Sequence, residues 1–337
     1  MKKLFLASLV VLVASAISTY LLYLDDSFLE TENDFGSKIV LGFAQLGAES
    51  EWRSASSASI KDAARRYGIE LMFENAQQKQ ENQIKAIRSF IAHRVDVIAF
   101  SPIVETGWDN ILLEAKAEGI PVVLVDRHIR TESDGLFAAF VGSDFVEEGR
   151  KAGRWLRKKF ADAEGEVRVV ELRGTEGSSP MRGRYEGFRE ALGDNDWDND
   201  PKSSAQFKVL CSLRGDFMRS KGRETMEQIL SSYSNIDVLF AHNDDMAMGA
   251  VEAMEERGIR PGKDVVVISV DAQRSAVEAM KQGKINCIVE CNPYVGDRLM
   301  ELVRKLVAGV SVPSRIYSEE KVYTEDDAPE DLPVHPY

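Results

Sequence analysis

Trp52 and Arg53 stand where the apolar run LGFAQ has given way to a small polar loop and a helix should begin. A large ring and a permanent cation are costly at such a position unless something is bound there. The same thing recurs along the chain: apolar runs that read as strands end in side chains with fixed hydrogen-bonding geometry. Glu49, Ser50, Glu51, Trp52 and Arg53 follow the first, and Asp126 and Arg127 the fourth. Further on stand Arg184, Phe217, Asn243, Asp271 with Gln273, and Glu290. In open parallel sheets, ligands bind beyond the carboxyl ends of the strands. Carboxylates accept hydroxyl protons, while guanidinium and amide groups donate to hydroxyl and ring oxygens. Aromatic rings cover apolar C–H faces. The mixture suits a polyol.

Each residue also has an ordinary structural role. Asn243 and Asp244 fit helix caps, Asp126-Arg127 fits a surface ion pair, Trp52 and Phe217 fit core positions, and Arg184 and Glu290 fit a salt bridge or a solvated surface. It is their convergence at one end of many strands that points to a site. The four histidines, His93, His128, His242 and His335, show no metal-ligand spacing. No GxSxG, P-loop or dinucleotide glycine fingerprint occurs, and GTEGSS at 174–179 reads as a plain turn. No cofactor or metal is expected.

Strand-like and helix-like segments alternate to position these residues. KIVLGFA, IELMFEN, VDVIAFSP and IPVVLVDR read as strands, separated by three amphipathic helices. The pattern restarts after FAAFVG with a helix over 144–161. Strands VRVVELRG, QFKVLCS, IDVLFAHN, DVVVISVDA and INCIVECN follow, with helices between them and a last helix near 293–308. Val/Ile-rich strands alternating with helices imply parallel sheets covered on both faces. There are too many units for one sheet, so the fold class is α/β with two Rossmann-like lobes. The tail SEEKVYTEDDAPEDLPVHPY, 319–337, reads as an acidic surface strap or frayed end.

The 337 residues carry a formal net charge of −13, which disfavours a nucleic-acid partner. Neither helix-turn-helix nor zinc-finger spacing appears. Lys2-Lys3 precede an apolar stretch through Leu24, so the chain is addressed to a membrane. ASA at 14–16 fits cleavage after Ala16, slightly ahead of an uncleaved anchor over residues 4–24. Either way the remainder is exported. Three cysteines, Cys211, Cys287 and Cys291, exclude a fully paired framework. They read as buried small residues, with a bridge from Cys211 to Cys287 or Cys291 left open.

GFAQLGAESEWR, NAQQKQENQIKAIRSFIA, SPIVETGWDNILLEAKAEGIPVVLVDR, GDFMRSKGRETME, AHNDDMAMGA and RPGKDVVVISVDA closely resemble type I periplasmic sugar-binding proteins of ABC importers. The resemblance is to the ribose/galactose class and, within it, to the galactofuranose-binding group. It implies two lobes joined by a three-strand hinge, placed near 141–144, 270–273 and 288–294. The lobes would comprise 37–141 with 273–289, and 142–271 with 291–318. It also implies a ligand-binding set of Glu49, Ser50, Glu51, Trp52, Arg53, Asp126, Arg127, Arg184, Phe217, Asn243, Asp271 and Glu290. In that set Trp52 would offer a stacking face. The implied function is monosaccharide binding by a periplasmic monomer that closes on its ligand and presents it to an ABC permease. The alternative is a membrane-tethered co-receptor for a sensor kinase or chemoreceptor. A glycosidase would need two carboxyls flanking the scissile bond at a set distance, and the protein is not expected to be an enzyme. A sugar-responsive repressor would share the fold but not the export signal. Glu51 in place of glycine, Ala272-Gln273 in place of Gly-Val, and Cys291 depart from the group's pattern and leave the sugar's identity open.

Overall fold

The computed structural model describes residues 38–193, 206–333, 335 and 337. The expected signal or anchor over residues 4–24 lies outside them. The first lobe runs β1 (Val40–Gln45), α1 (Glu51–Arg66), β2 (Glu70–Asn75), α2 (Gln80–Ala92), β3 (Val97–Phe100), α3 (Asp109–Ala117), β4 (Val122–Val125) and β5 (Ala139–Gly142). The second lobe runs α4 (Phe145–Lys159), β6 (Val167–Arg173), α5 (Ser179–Leu192), β7 (Phe207–Arg214), α6 (Arg219–Ser232), β8 (Val238–Ala241), α7 (Asp244–Glu256), β9 (Val266–Asp271), α8 (Arg274–Lys281) and β10 (Cys287–Glu290). Then come α9 (Gly296–Val307), β11 (Arg315–Tyr317) and β12 (Val322–Thr324).

The strand order is β2-β1-β3-β4-β5-β11 in the first sheet and β7-β6-β8-β9-β10-β12 in the second. Every neighbouring pair is parallel except β10 with β12. β3, β4, β8 and β10 are buried at every position, as expected of strands covered on both faces. Leu41, Phe43, Val97 and Val123 pack under α1, while Ala44, Ile98, Phe100 and Leu124 pack under α2 and α3. Among the described residues no helix is long and apolar enough to cross a membrane.

Two expected lobe assignments are reversed. Residues 273–289 carry α8 and β10, and β10 pairs with β9 in the second sheet. Residues 291–318 carry α9 and β11. Leu299, Met300 and Val303 of α9 join the core beside Leu41 and Phe43, and β11 pairs with β5. The physical reason is local: a strand–helix–strand crossover of this length returns the chain beside the strand it left. The chain therefore passes between lobes at 143–144, 291–295 and 318–321. The expected crossover at 270–273 is the end of β9 inside the second lobe.

The tail is likewise part of the structure. β12 pairs antiparallel with β10, and the Tyr337 carbonyl accepts from the Arg274 N–H at 2.6 Å. Cys211, Cys287 and Cys291 are free thiols.

Candidate functional site

The carboxyl ends of the strands of both sheets open onto one cavity with about 300 Å³ of empty space, its mouth included. Glu49, Ser50, Trp52, Arg53, Asp126 and Arg127 line it from the first lobe. Pro180, Arg184, Phe217, Asn243 and Asp271 line it from the second, and Cys291 from the second crossover.

The first-lobe wall is built by the start of α1. Ser50 caps the helix, its Oγ accepting from the Arg53 N–H at 3.1 Å. Arg53 Nη2 donates to Asp126 Oδ2 at 2.5 Å and Nε to Glu49 Oε1 at 3.3 Å. Burial alone would lower the Arg53 pKa, but Asp126 and Glu49 more than offset it and hold it above the ordinary value. Arg127 is less well matched. Burial, together with the charges of Arg53 and Arg184, brings it down to about 10 against the pull of Glu49 and Asp126. Three buried polar atoms of this wall have no hydrogen-bond partner: Glu49 Oε2, Arg53 Nη1 and Arg127 Nε.

In the second lobe, Arg184 is anchored from below. Its Nε donates to Glu148 Oε2 at 2.7 Å, its Nη1 to the His242 carbonyl at 2.5 Å, and its Nη2 lies 3.8 Å from Asp271 Oδ1. Burial pushes the Asp271 carboxyl well above its usual range, against the pull of Arg184. The Phe217 ring sits over Gly174, where an added Cβ would fall 1.8 Å from Phe217 Cζ, so only glycine admits the ring. The guanidinium of Arg127 lies 5.3 Å from the Phe217 centroid. Asn243 is both cap and wall: its Oδ1 accepts from the Met246 N–H at 3.1 Å and its Nδ2 donates to the Phe217 carbonyl at 3.3 Å.

Three lining residues hold positive φ without being glycine: Asp126 (65°), Phe217 (63°) and Asp271 (129°). Such conformations cost on the order of 1–3 kcal/mol each and persist where surrounding contacts enforce them.

Two residues of the expected set do not reach the cavity. Glu51 is exposed, and only its backbone N–H acts, donating across the lobes to Asp245 Oδ2 at 3.2 Å. Glu290 turns to the tail, where Oε2 accepts from the Lys321 N–H at 3.0 Å and Oε1 lies 3.4 Å from His335 Nε2. Trp52 lines the cavity but is less free than expected. Its Nε1 donates to the Cys291 carbonyl at 2.7 Å, its ring packs with Phe145 in the second-lobe core, and the Arg53 guanidinium lies 4.8 Å from the ring centroid. Pro180 and Cys291 were not in the expected set. Pro180 lies in the first turn of α5, two residues after a serine cap, a position that proline's fixed φ suits. Gln273 donates to Asp245 Oδ2 at 2.9 Å and to Asp271 Oδ2 at 3.2 Å, which steadies Asp271 from behind.

The lobes touch beyond the cavity as well. Arg182 grips Glu105 with Nε to Oε2 at 2.8 Å and Nη2 to Oε1 at 2.7 Å. The Glu105 N–H donates to the Gly177 carbonyl at 2.9 Å, and the His128 N–H to Ser179 Oγ at 2.8 Å.

Comparison with known proteins agrees with this architecture. The periplasmic binding protein domain matches residues 41–310. The galactofuranose-binding protein YtfQ of Escherichia coli K12 is 39% identical over 298 residues, covering 87% of this chain and 90% of that protein. A crystal structure from Mycobacterium smegmatis in complex with β-D-fucofuranose has a TM-score of 0.81 at 47% identity, covering 85% of this chain and 91% of that one. The arabinose ABC transporter's binding component from Shewanella sp. ANA-3, bound to α- and β-L-arabinofuranose, has a TM-score of 0.79 at 41% identity and covers 85% and 92%. By the span of the domain match and by its identity to these relatives, the chain belongs to the periplasmic binding protein family.

Proposed function

We propose that the chain is a receptor for a neutral monosaccharide in its furanose form, which it holds between closed lobes and delivers to the permease of an ABC importer. The observation that carries this is the charge balance of the cavity. Arg53 and Arg127 face Glu49 and Asp126, and Arg184 is paired with the buried Glu148, so an anionic ligand finds no net positive field. Hydroxyl and ring oxygens, by contrast, suit the unpartnered Glu49 Oε2, Arg53 Nη1 and Arg127 Nε. The furanose ring is supported by the sugars bound to the fucofuranose and arabinofuranose relatives. Periplasmic binding proteins close about a hinge, and the contacts from Arg182, Glu51 and His128 are those a closed form would make. On this reading the protein works in the periplasm as a monomer and binds without turnover, its cavity carboxylates lying beside arginines rather than flanking a bond to be cleaved.

Thermal unfolding of the full-length chain against galactofuranose, fucofuranose, arabinofuranose, ribose and glucose tests this. Ligand at 100 times its Kd stabilises by about 2.7 kcal/mol, a rise of several degrees for a chain of this size. The expected outcome is a rise with one or more furanoses, cut to about a third in Arg53→Ala, whose affinity should fall by about 2 kcal/mol, or thirtyfold. No rise with any sugar, or a rise unchanged in Arg53→Ala, would overturn the reading.

A further inference from the structure

Where the three crossovers meet, a second set of residues comes together behind the cavity, sharing Cys291 with its lining. Ser143 belongs to the first crossover, Cys291 and Asn292 to the second and Glu320 to the third, and Glu148 reaches them from the first turn of α4. Glu148, Cys291 and Glu320 each bring one ligand atom to within 4.8 Å of the others. Glu148 is completely buried; Arg184 takes its Oε2, and its Oε1 has no partner. Glu320 Oε1 accepts from Ser143 Oγ and from the Asn292 N–H, so the carboxylate is oriented by neighbours from the other two crossovers. Lys151 Nζ bonds the Glu320 carbonyl at 2.8 Å rather than the carboxylate. Among the described residues, Arg184 is thus the cation bonded to these three side chains, and it holds the far oxygen of one of them.

We propose that Glu148, Cys291 and Glu320 form a divalent-cation site at the hinge, with a thiolate and two carboxylates as ligands and the chemistry of a zinc site. A thiolate beside carboxylates suits zinc rather than magnesium or calcium, which take oxygen alone. Tetrahedral zinc at about 2.0–2.3 Å from its ligands sets those ligands about 3.5 Å apart. The three atoms would therefore draw in by about 1 Å or less. Burial raises the Cys291 thiol and takes the Glu320 carboxyl up to about 9, further than the nearby charges of Arg184 and Lys151 draw them down. A cation binding there displaces those protons. Because the ligands come from two crossovers and α4, a bound cation fixes these segments relative to one another.

The test uses the metal alone on the full-length chain, after chelator treatment. Cadmium titration should give a thiolate-to-metal charge-transfer band saturating at one equivalent per chain. The band should be lost in Cys291→Ser and retained in Cys211→Ser. Competition with a chromophoric chelator should show zinc affinity falling by at least about tenfold in Glu320→Gln. X-ray absorption of the zinc-loaded parent chain needs no variant and should show one sulfur with oxygen neighbours. The proposal is overturned by the absence of a cadmium band, by a band that follows Cys211 instead of Cys291, by undiminished affinity in Glu320→Gln, or by a zinc shell without sulfur.

Discussion

A buried charge is tolerable only when its partners are fixed, and Glu171 shows how much stability such a side chain can carry. It lies on β6, wholly buried, with Oε1 3.0 Å from His242 Nε2 and Oε2 accepting from Arg189 at 3.0 Å and from Ser212 Oγ. Burial alone would raise its pKa, but the His242 hydrogen bond and the Arg189 charge bring it from 4.5 down to about 2. Burial keeps the His242 ring below its ordinary pKa. Because the folded pKa of Glu171 is depressed, its contribution is present above the unfolded value of 4.5 and is lost as pH falls towards about 2. The full contribution is roughly 3 kcal/mol. Urea unfolding at about pH 6 and about pH 3 should show Glu171→Gln losing less stability on acidification than the parent chain; an equal loss would place the acid sensitivity elsewhere. At this scale the sequence was a good guide wherever a strand end dictates direction. Arg53, Asp126 and Asp271 were visible as fixed donors and acceptors shortly beyond apolar runs, and Arg184 in the segment that follows β6. Glu51 and Glu290 looked equivalent to them but are not. Glu51 sits two residues before Arg53 in the first turn of a helix, about 200° around its axis. Glu290 is claimed by a tail whose path no strand-end argument gives.

The elements that hold the site do so by close approach, and the tightest is α4 against α5. A Cβ added at Gly149 would lie 2.3 Å from the Arg184 carbonyl and 2.8 Å from the Phe188 nitrogen; one at Gly187 would lie 1.9 Å from the Val146 carbonyl. The backbone that carries Arg184 therefore rests directly on α4. Gly149→Ala has no soft side chain to displace and must push α5 outward. The expected result is destabilisation of about 2 kcal/mol or more, read as a lower urea midpoint. Weaker ligand binding should accompany it, because Arg184 moves with its helix. A variant with the parent's midpoint and affinity would show that the helices separate without strain. The alternation of strands and helices was legible from periodicity, since each period reflects one buried face. Which sheet each late strand joins was not. The same pattern is compatible with α8 and β10 in either lobe, and the decision falls to packing: β10 against β9, and Leu299 and Val303 of α9 against α1. β11 and β12 escaped notice because RIY and VYT are three residues each, too short to show a period.

For the whole molecule, the question is whether the lobes must part for ligand to enter. Trp52 of the first lobe is seated in the second-lobe core, Arg182 grips a Glu105 that is 2% exposed, and the cavity walls come from both lobes. In this closed form ligand exchange requires those contacts to break, so tying the lobes together should stop exchange without touching the cavity wall. Val104 and Gly177 offer the place, since a Cβ added at Gly177 would lie 3.9 Å from the Val104 Cβ, inside the range that a disulfide spans. Gly177 has φ of 74°, so a cysteine there carries about 1–2 kcal/mol of backbone strain. That strain lowers the stability of the reduced variant without preventing the bond. Val104→Cys/Gly177→Cys, oxidised with sugar present, should retain it through dialysis and release it on reduction. Oxidised without sugar, it should fail to bind until reductant is added, while each single variant exchanges sugar freely. Exchange at equal rates in the oxidised and reduced double variant would mean that the ligand enters a closed molecule, and hinge opening would then have no part in binding.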